Sequence, residues 1–296
     1  MASIYQTRPA PRSLPGRAPH RGPHPTRAVS LLTLVTVTAI VGITVIPLLF
    51  VVIDGFRSSA DINSAPVGLP RPWQWGNYTS VLESSSFWRF LANSALIATI
   101  ATALTLAFGS AAAFALSRYA FAGREALYSL FVVGLLFPAA VASLPLYLLL
   151  RQIDLLENPL GVALPEAAFS LPVAIVILRP FMRAVPMELE DAAVIDGASR
   201  LGFFWRILLP LSVPALTTVA VLAFISSWNA YLLPLLVFND QNHFTLPLGV
   251  ATFQTQYSQD TGRILAFTAL SMLPALAFLA VAERRIVAGL SGSVKG

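Results

Sequence analysis

Cysteine is absent from the 296 residues, lysine occurs once and histidine three times. Without cysteine there is no disulfide framework, no thiolate metal site and no cysteine nucleophile. The single lysine is Lys295, followed only by Gly296, so the chain cannot form a phosphate-binding G-x-x-x-x-G-K-[ST] loop. Neither H-E-x-x-H nor G-x-S-x-G occurs, which leaves an intramembrane enzyme without support. Charge is scarce as well, at 11% of residues against 56% hydrophobic, where a soluble domain carries about 25% charged residues. With a mean hydropathy of +0.72, lipid must form part of the solvent of this chain.

What is present is a set of long apolar stretches. About 20 such residues cross a bilayer as a helix. Six stretches qualify, at Val29–Ile53, Phe90–Leu116, Leu127–Leu150, Leu160–Leu178, Leu209–Phe238 and Ile264–Val281. Backbone groups cannot stay unpaired in hydrocarbon, and the alternation of a barrel is missing, so the expected class is all-α with six transmembrane helices. Of the nineteen Lys and Arg residues, fourteen fall on the side that holds both termini and five on the other. By the positive-inside rule both termini are cytoplasmic.

Four regions follow. Residues 1–28 form an Arg/Pro-rich tail expected to be disordered and cytoplasmic, with no role in nucleic-acid binding. Residues 29–89 hold the first span and an external loop whose Trp73, Trp75, Tyr78, Phe87 and Trp88 suit an interfacial belt or a short surface helix. Residues 90–286 carry the other spans, and 287–296 are a small-residue cytoplasmic tail. A second external loop, Asn239–Arg263, is polar and reads equally as a solvated connector or as a surface for an external partner.

Between the fourth and fifth spans lies an acidic, helix-forming loop, residues 187–207. Pro186 suits a helix start, and Glu188, Glu190 and Asp191 suit the positive end of the helix dipole. Gly197 is a natural stop, and Ser199 a natural cap for a second helix. The small pair Ala192-Ala193 lets another surface approach, and the flanking carboxylates give that approach a direction. From these residues alone the segment is either an ordinary amphipathic linker or a docking surface.

The loop resembles the EAA motif of permease subunits of ABC importers. The family's E-A-A, G, I and L-P appear as Asp191-Ala192-Ala193, Gly197, Ile207 and Leu209-Pro210, with the spacing intact. Glu190 through Ala198 is similar to the longer form of the carbohydrate branch, E-E-A-A-x-x-D-G-A. That branch is also resembled at Trp228-Asn229, at Phe244–Gly249 and in the tail from Arg285. One departure is Asp191, where the family has glutamate. The resemblance implies a type I ABC importer permease fold, multi-pass in the cytoplasmic membrane. It implies as partners a homologous second permease, two ATPase subunits that bind ATP and Mg, and an extracytoplasmic solute-binding protein. The chain itself would bind no cofactor or metal and would be a transport subunit, not an enzyme. Glu190, Asp191, Ala192, Ala193, Asp196, Gly197 and Ala198 would couple to the ATPase, with either Asp191 or Glu190 making the main contact.

For the solute path the polar residues within spans are candidates: Glu166, Ser227, Trp228, Asn229 and Tyr231, with Asn93, Ser94 and Ser226 beside them. Asn, Ser and Tyr in membrane helices also serve as interhelical hydrogen-bond partners. Glu166 stands out as the main ionisable group inside a span. His20, His24 and His243 all lie outside the spans, which disfavours a proton-coupled carrier. A sugar or sugar-like solute is the implied cargo. A polyol or glycerol-phosphate permease of the same class, an ion-coupled secondary carrier and a membrane scaffold stay open as alternatives.

Overall fold

The computed structural model describes residues 27–253 and 260–293, with side chains over 31–253 and 260–281. The expected tail before residue 27, and Gln254, Gln256, Tyr257 and Gln259 of the second loop, lie outside the described residues. Among the described residues there are helices and no strands. The chain divides into two units at Leu48, and helix α1 (Arg27–Asp54) passes from one into the other. Among the described residues, four helices are long and apolar enough to cross a membrane, or six if each of two bent pairs counts as one span.

In the second unit a connector carries two short helices, α2 (Ser59–Ser64) and α3 (Trp75–Glu83). It is tied down by Arg57, which pairs with Asp54 at 3.1 Å, both nearly fully buried, and donates to the Asp61 and Ala65 carbonyls. Phe56 packs against Trp73, Trp75 and Tyr78 with centroids 4.3–5.2 Å apart. Helix α4 (Ser85–Arg118) has 34 residues, about 51 Å at 1.5 Å per residue, and so outreaches a hydrocarbon core of about 30 Å at both ends.

Helix α4 packs along α7 (Pro159–Ala184) through a seam of small residues. Gly109 faces Ala174 so closely that a Cβ at 109 would lie 2.9 Å from the Ala174 Cβ. Small residues are what let helices approach where lipid offers no hydrophobic drive. Helix α7 starts with the Asn158 side chain accepting from the Leu160 N–H, and it runs on through Pro165, Pro172 and Pro180.

The expected third span is broken. Helix α5 (Arg124–Gly134) and the run of a 3-10 turn (Ala139–Ala142) with α6 (Ser143–Gln152) meet at 91°. Gly134 and Pro138 flank the break, where proline removes a ladder donor. The fifth expected span, Leu209–Phe238, is likewise divided. After α8 (Met187–Ile195) come α9 (Arg200–Phe203), a π turn (Phe204–Leu208) and α10 (Leu209–Leu211). This run bends by 78° into α11 (Val213–Trp228), with Pro210 and Pro214 astride the bend. A further break at 229–231 precedes α12 (Leu232–Val237), so α11 alone provides 16 residues. Then come a second 3-10 turn (Gln241–His243), α13 (Leu246–Gly249), a third 3-10 turn (Val250–Phe253) and α14 (Thr261–Ser293). Helix α14 continues without interruption into the segment read as a separate tail from 287, to residue 293.

The fourth span also differs from its expected end at Leu178. It reaches Ala184 and so includes Arg179, one of the fourteen basic residues expected on the cytoplasmic side. Arg179 is buried; it donates to the Leu116 carbonyl and Glu125, and its guanidinium lies 3.9 Å from the Tyr128 ring centroid. Glu166 is therefore not alone as an ionisable group within the apolar helices.

Candidate functional site

The 187–207 segment folds as its residues dictate. Pro186 is the N-cap of α8, and Glu188 and Glu190 lie in the first turn. The helix ends on Gly197 at φ +81°. There the Ala198 N–H reaches the Ala193 carbonyl at 2.8 Å and the Gly197 N–H the Val194 carbonyl at 3.0 Å. This pair of bonds is a Schellman motif, and Ala193 and Ala198 both pack on one core. Ser199 caps α9 by accepting from the Gly202 N–H at 3.1 Å.

Burial then sorts the motif. Ala193 is buried with Phe203, Phe204 and Leu208, against Ala113, Leu178 and Met182 of α4 and α7. Asp191, Ala192, Val194, Ile195, Asp196 and Gly197 are exposed. The small pair is thus split: Ala192 is free for a close approach and Ala193 is part of the core. Glu190 turns inward, its side chain 12% exposed and 3.7 Å from the Arg118 guanidinium. Arg118, at 1% exposure, also donates to the Met182 and Val185 carbonyls, each at 2.8 Å, and contacts the Met187 sulfur. One arginine thereby joins the end of α4, the end of α7 and the start of α8. Arg118 is one of the fourteen basic residues expected on the cytoplasmic side; its place directly after an apolar run is the sequence signal that its stem is embedded.

The solute-path candidates separate just as clearly. Ser94 accepts from the Leu246 N–H at 2.8 Å, and Asn93 donates to the Asn242 and Phe244 carbonyls. Trp228 is buried, stacks on Phe224 and donates to the Ser271 carbonyl. These three are packing residues. Asn229 is exposed at the C-cap of α11. Glu166, Ser226 and Tyr231 line a cavity of about 350 Å³ between α7, α11 and the two helix breaks. Ser227 is not on its lining; its hydroxyl donates to the Glu166 Oε2. Ser143, Ser170 and Phe169 complete the polar and aromatic lining, and the sequence reading had not singled them out. Ser143 is brought to the cavity by the bend before α6, whereas Phe169 and Ser170 lie on α7, three and four residues after Glu166.

The end of the unit opposite α8 is tied by Glu157, which accepts from the Asn239 N–H at 2.6 Å and lies 3.1 Å from His243 Nδ1. Arg89, near the start of α4, bonds Asn242.

Comparison with known proteins gives the family. Residues 105–287 match the family described as binding-protein-dependent transport system inner membrane component. A putative ABC transporter permease protein of Caldicellulosiruptor is 39% identical over 253 residues, covering 85% of this chain and 92% of its own. The trehalose transport system permease protein of Mycobacterium tuberculosis is 33% identical, over 88% and 95% respectively. The diacetylchitobiose uptake system permease protein of Streptomyces coelicolor is 32% identical, over 84% and 83%. In fold, the chain superposes with a TM-score of 0.74 on a chain of a bacterial ABC transporter involved in import of the acidic polysaccharide alginate. That match covers 92% of this chain and 99% of the other at 22% identity. The protein is therefore a multi-pass membrane permease subunit of an ABC transporter, a member of the binding-protein-dependent transport system inner membrane component family.

Proposed function

We propose that this chain is the permease subunit of an ATP-driven importer that moves a sugar or sugar-like solute into the cell, with both termini cytoplasmic. The reading assigns 90–286 as the permease domain, 29–89 as the first span with its external loop, and the 187–207 loop as the surface gripped by an ATPase. A second, homologous permease completes the channel, two ATPase subunits bind ATP and Mg, and an external binding protein delivers the solute. Relatives named for trehalose and diacetylchitobiose transport support a sugar as cargo. A structural neighbour solved with a periplasmic protein supports the delivery step. The family places the chain among ABC permeases, and with it the ion-coupled carrier and the scaffold lose their footing.

One observation carries the coupling role. Asp191 and Ala192 are exposed on a helix whose other side, through Ala193 and Glu190, is fixed to α4 and α7. A rigid lever with one charged free face transmits motion of a bound ATPase to the spans. ATP-driven closure then shifts a two-state equilibrium between inward- and outward-open cavities, and a loaded binding protein shifts it reciprocally. Asp191 takes the main ATPase contact, because Glu190 is already paired. The test is uptake of labelled trehalose and diacetylchitobiose by proteoliposomes holding the whole complex. Uptake must require both internal ATP and the binding protein; uptake independent of ATP refutes the reading.

A further inference from the structure

The cavity beside Glu166 bears on which solutes can pass. Resting on the importer reading above, we propose that it is an intramembrane subsite for an uncharged, hydroxyl-rich solute, and that the Glu166 carboxylate bars anionic ones such as uronates and sugar phosphates.

Position is the first support. The cavity lies where two apolar runs break, at the 3-10 turn Ala139–Ala142 and at 229–231. Non-helical backbone at membrane depth is tolerated where it is buried in protein or lines a cavity, and such breaks mark solute sites in transporters. The volume of about 350 Å³ lies near the lower end of ligand pockets, roughly 300–1,000 Å³.

Chemistry is the second. Among the described residues on the lining, Glu166 is the only carboxylate and there is no Lys, Arg or His. Its Oε2 accepts the Ser227 hydroxyl, whereas its Oε1 is buried with no partner among the described residues. An acceptor held dry and unfilled is matched by a donor from a solute hydroxyl. Ser143, Ser170 and Ser226 offer further hydroxyls, and the rings of Phe169 and Tyr231 offer flat apolar faces, as the two sides of a sugar ring require. An ionised Glu166 repels an anion entering the same space, with no cation on the lining to offset it.

The absence of cysteine makes a direct test available. Ser226→Cys places a single thiol of this subunit on the cavity wall. In the purified whole complex, its modification is followed with a cationic reagent, methanethiosulfonate ethyltrimethylammonium, and an anionic one, methanethiosulfonate ethylsulfonate. Each rate is divided by that of the same reagent on free mercaptoethanol and read on this subunit's band. The cation is expected to react at least about tenfold faster, equivalent to ~1.4 kcal/mol, and Glu166→Gln is expected to bring the ratio near unity. Gln241→Cys, on an exposed turn outside the cavity, is expected to show no such preference; it serves as the comparison if Glu166→Gln fails to assemble. A ratio near unity at Ser226→Cys, or one that matches Gln241→Cys, overturns the proposal. Trehalose uptake is read in parallel. Lost selectivity with uptake intact overturns the charge assignment and leaves the importer reading standing. Retained selectivity with no sugar uptake overturns the importer reading and the solute class together.

Discussion

Two positions of the 187–207 loop have costs that are set by backbone and burial, not by their neighbours in sequence. Gly197 sits at φ +81° with open space where a Cβ would stand. Gly197→Val therefore meets no steric neighbour, and its penalty is the left-handed backbone itself, about 1–2 kcal/mol and more for a β-branched side chain. The elbow is expected to reorient. ATPase activity in the complex should persist while sugar uptake falls sharply, with membrane insertion unchanged; normal uptake by the variant would count against the lever. Asp191 and Glu190 make the complementary pair. Asp191→Asn removes a charge from an exposed site and is expected to lower solute-stimulated ATPase activity with little change in thermal stability. Glu190→Gln leaves the Arg118 guanidinium without its anion in a nearly dry setting, which costs about 1–3 kcal/mol. It should lower the unfolding midpoint of the solubilised subunit. The reverse pattern would exchange the two roles.

Among elements, the α4–α7 seam depends on residues too small to be noticed individually. Because a Cβ at 109 already comes within 2.9 Å of Ala174, Gly109→Leu must push the helices apart, at about 1–3 kcal/mol or more. Faster proteolysis of the variant in membranes is the expected outcome, and native resistance would contradict the close approach. The apolar runs that make these elements were visible in the sequence, because hydrophobicity over about 20 residues is a local property. Their breaks were less so. Pro138, Pro210 and Pro214 flank the two sharp bends, yet Pro165, Pro172 and Pro180 lie within one continuous helix. A missing donor allows a bend, but neighbouring helices decide whether it forms. The π turn before Pro210 has the same origin: a surplus residue accommodated where the ladder is interrupted.

Over the whole molecule, charge bias predicts orientation. Ile195 is 85% exposed beside the elbow, and Gln241 is exposed at the opposite end of the second unit. In the cysteine-free chain, an impermeant maleimide should label Gln241→Cys in intact cells and Ile195→Cys only after permeabilisation; the opposite result inverts the topology. The Gln241 end also has a pH limit. Burial acts to raise the Glu157 pKa, but hydrogen bonds from the Asn239 backbone, His243, the Asn239 side chain and the Asp240 backbone outweigh it and hold the carboxyl below its ordinary 4.5. A depressed folded pKa stabilises above the unfolded value, and that contribution is lost as pH falls through the folded one. Proteolytic nicking at residues 239–243 is therefore expected to rise between roughly pH 5 and pH 3 and to lose that dependence in Glu157→Gln.

Composition, the six apolar runs, the placement of arginine and the helix–elbow–helix of residues 187–207 were all determined locally. Each rests on hydrophobicity, capping or a backbone preference that a short segment expresses by itself. Tertiary structure decided which face of the elbow is free, that Arg118 and Arg179 are internal ties, that Trp228 packs while Tyr231 lines a cavity, and that Ser143 joins Glu166 there. These outcomes follow from burial and from contacts between helices up to tens of residues apart in the chain. A side chain's neighbours across a helix interface are set by crossing geometry, which residue order does not encode locally.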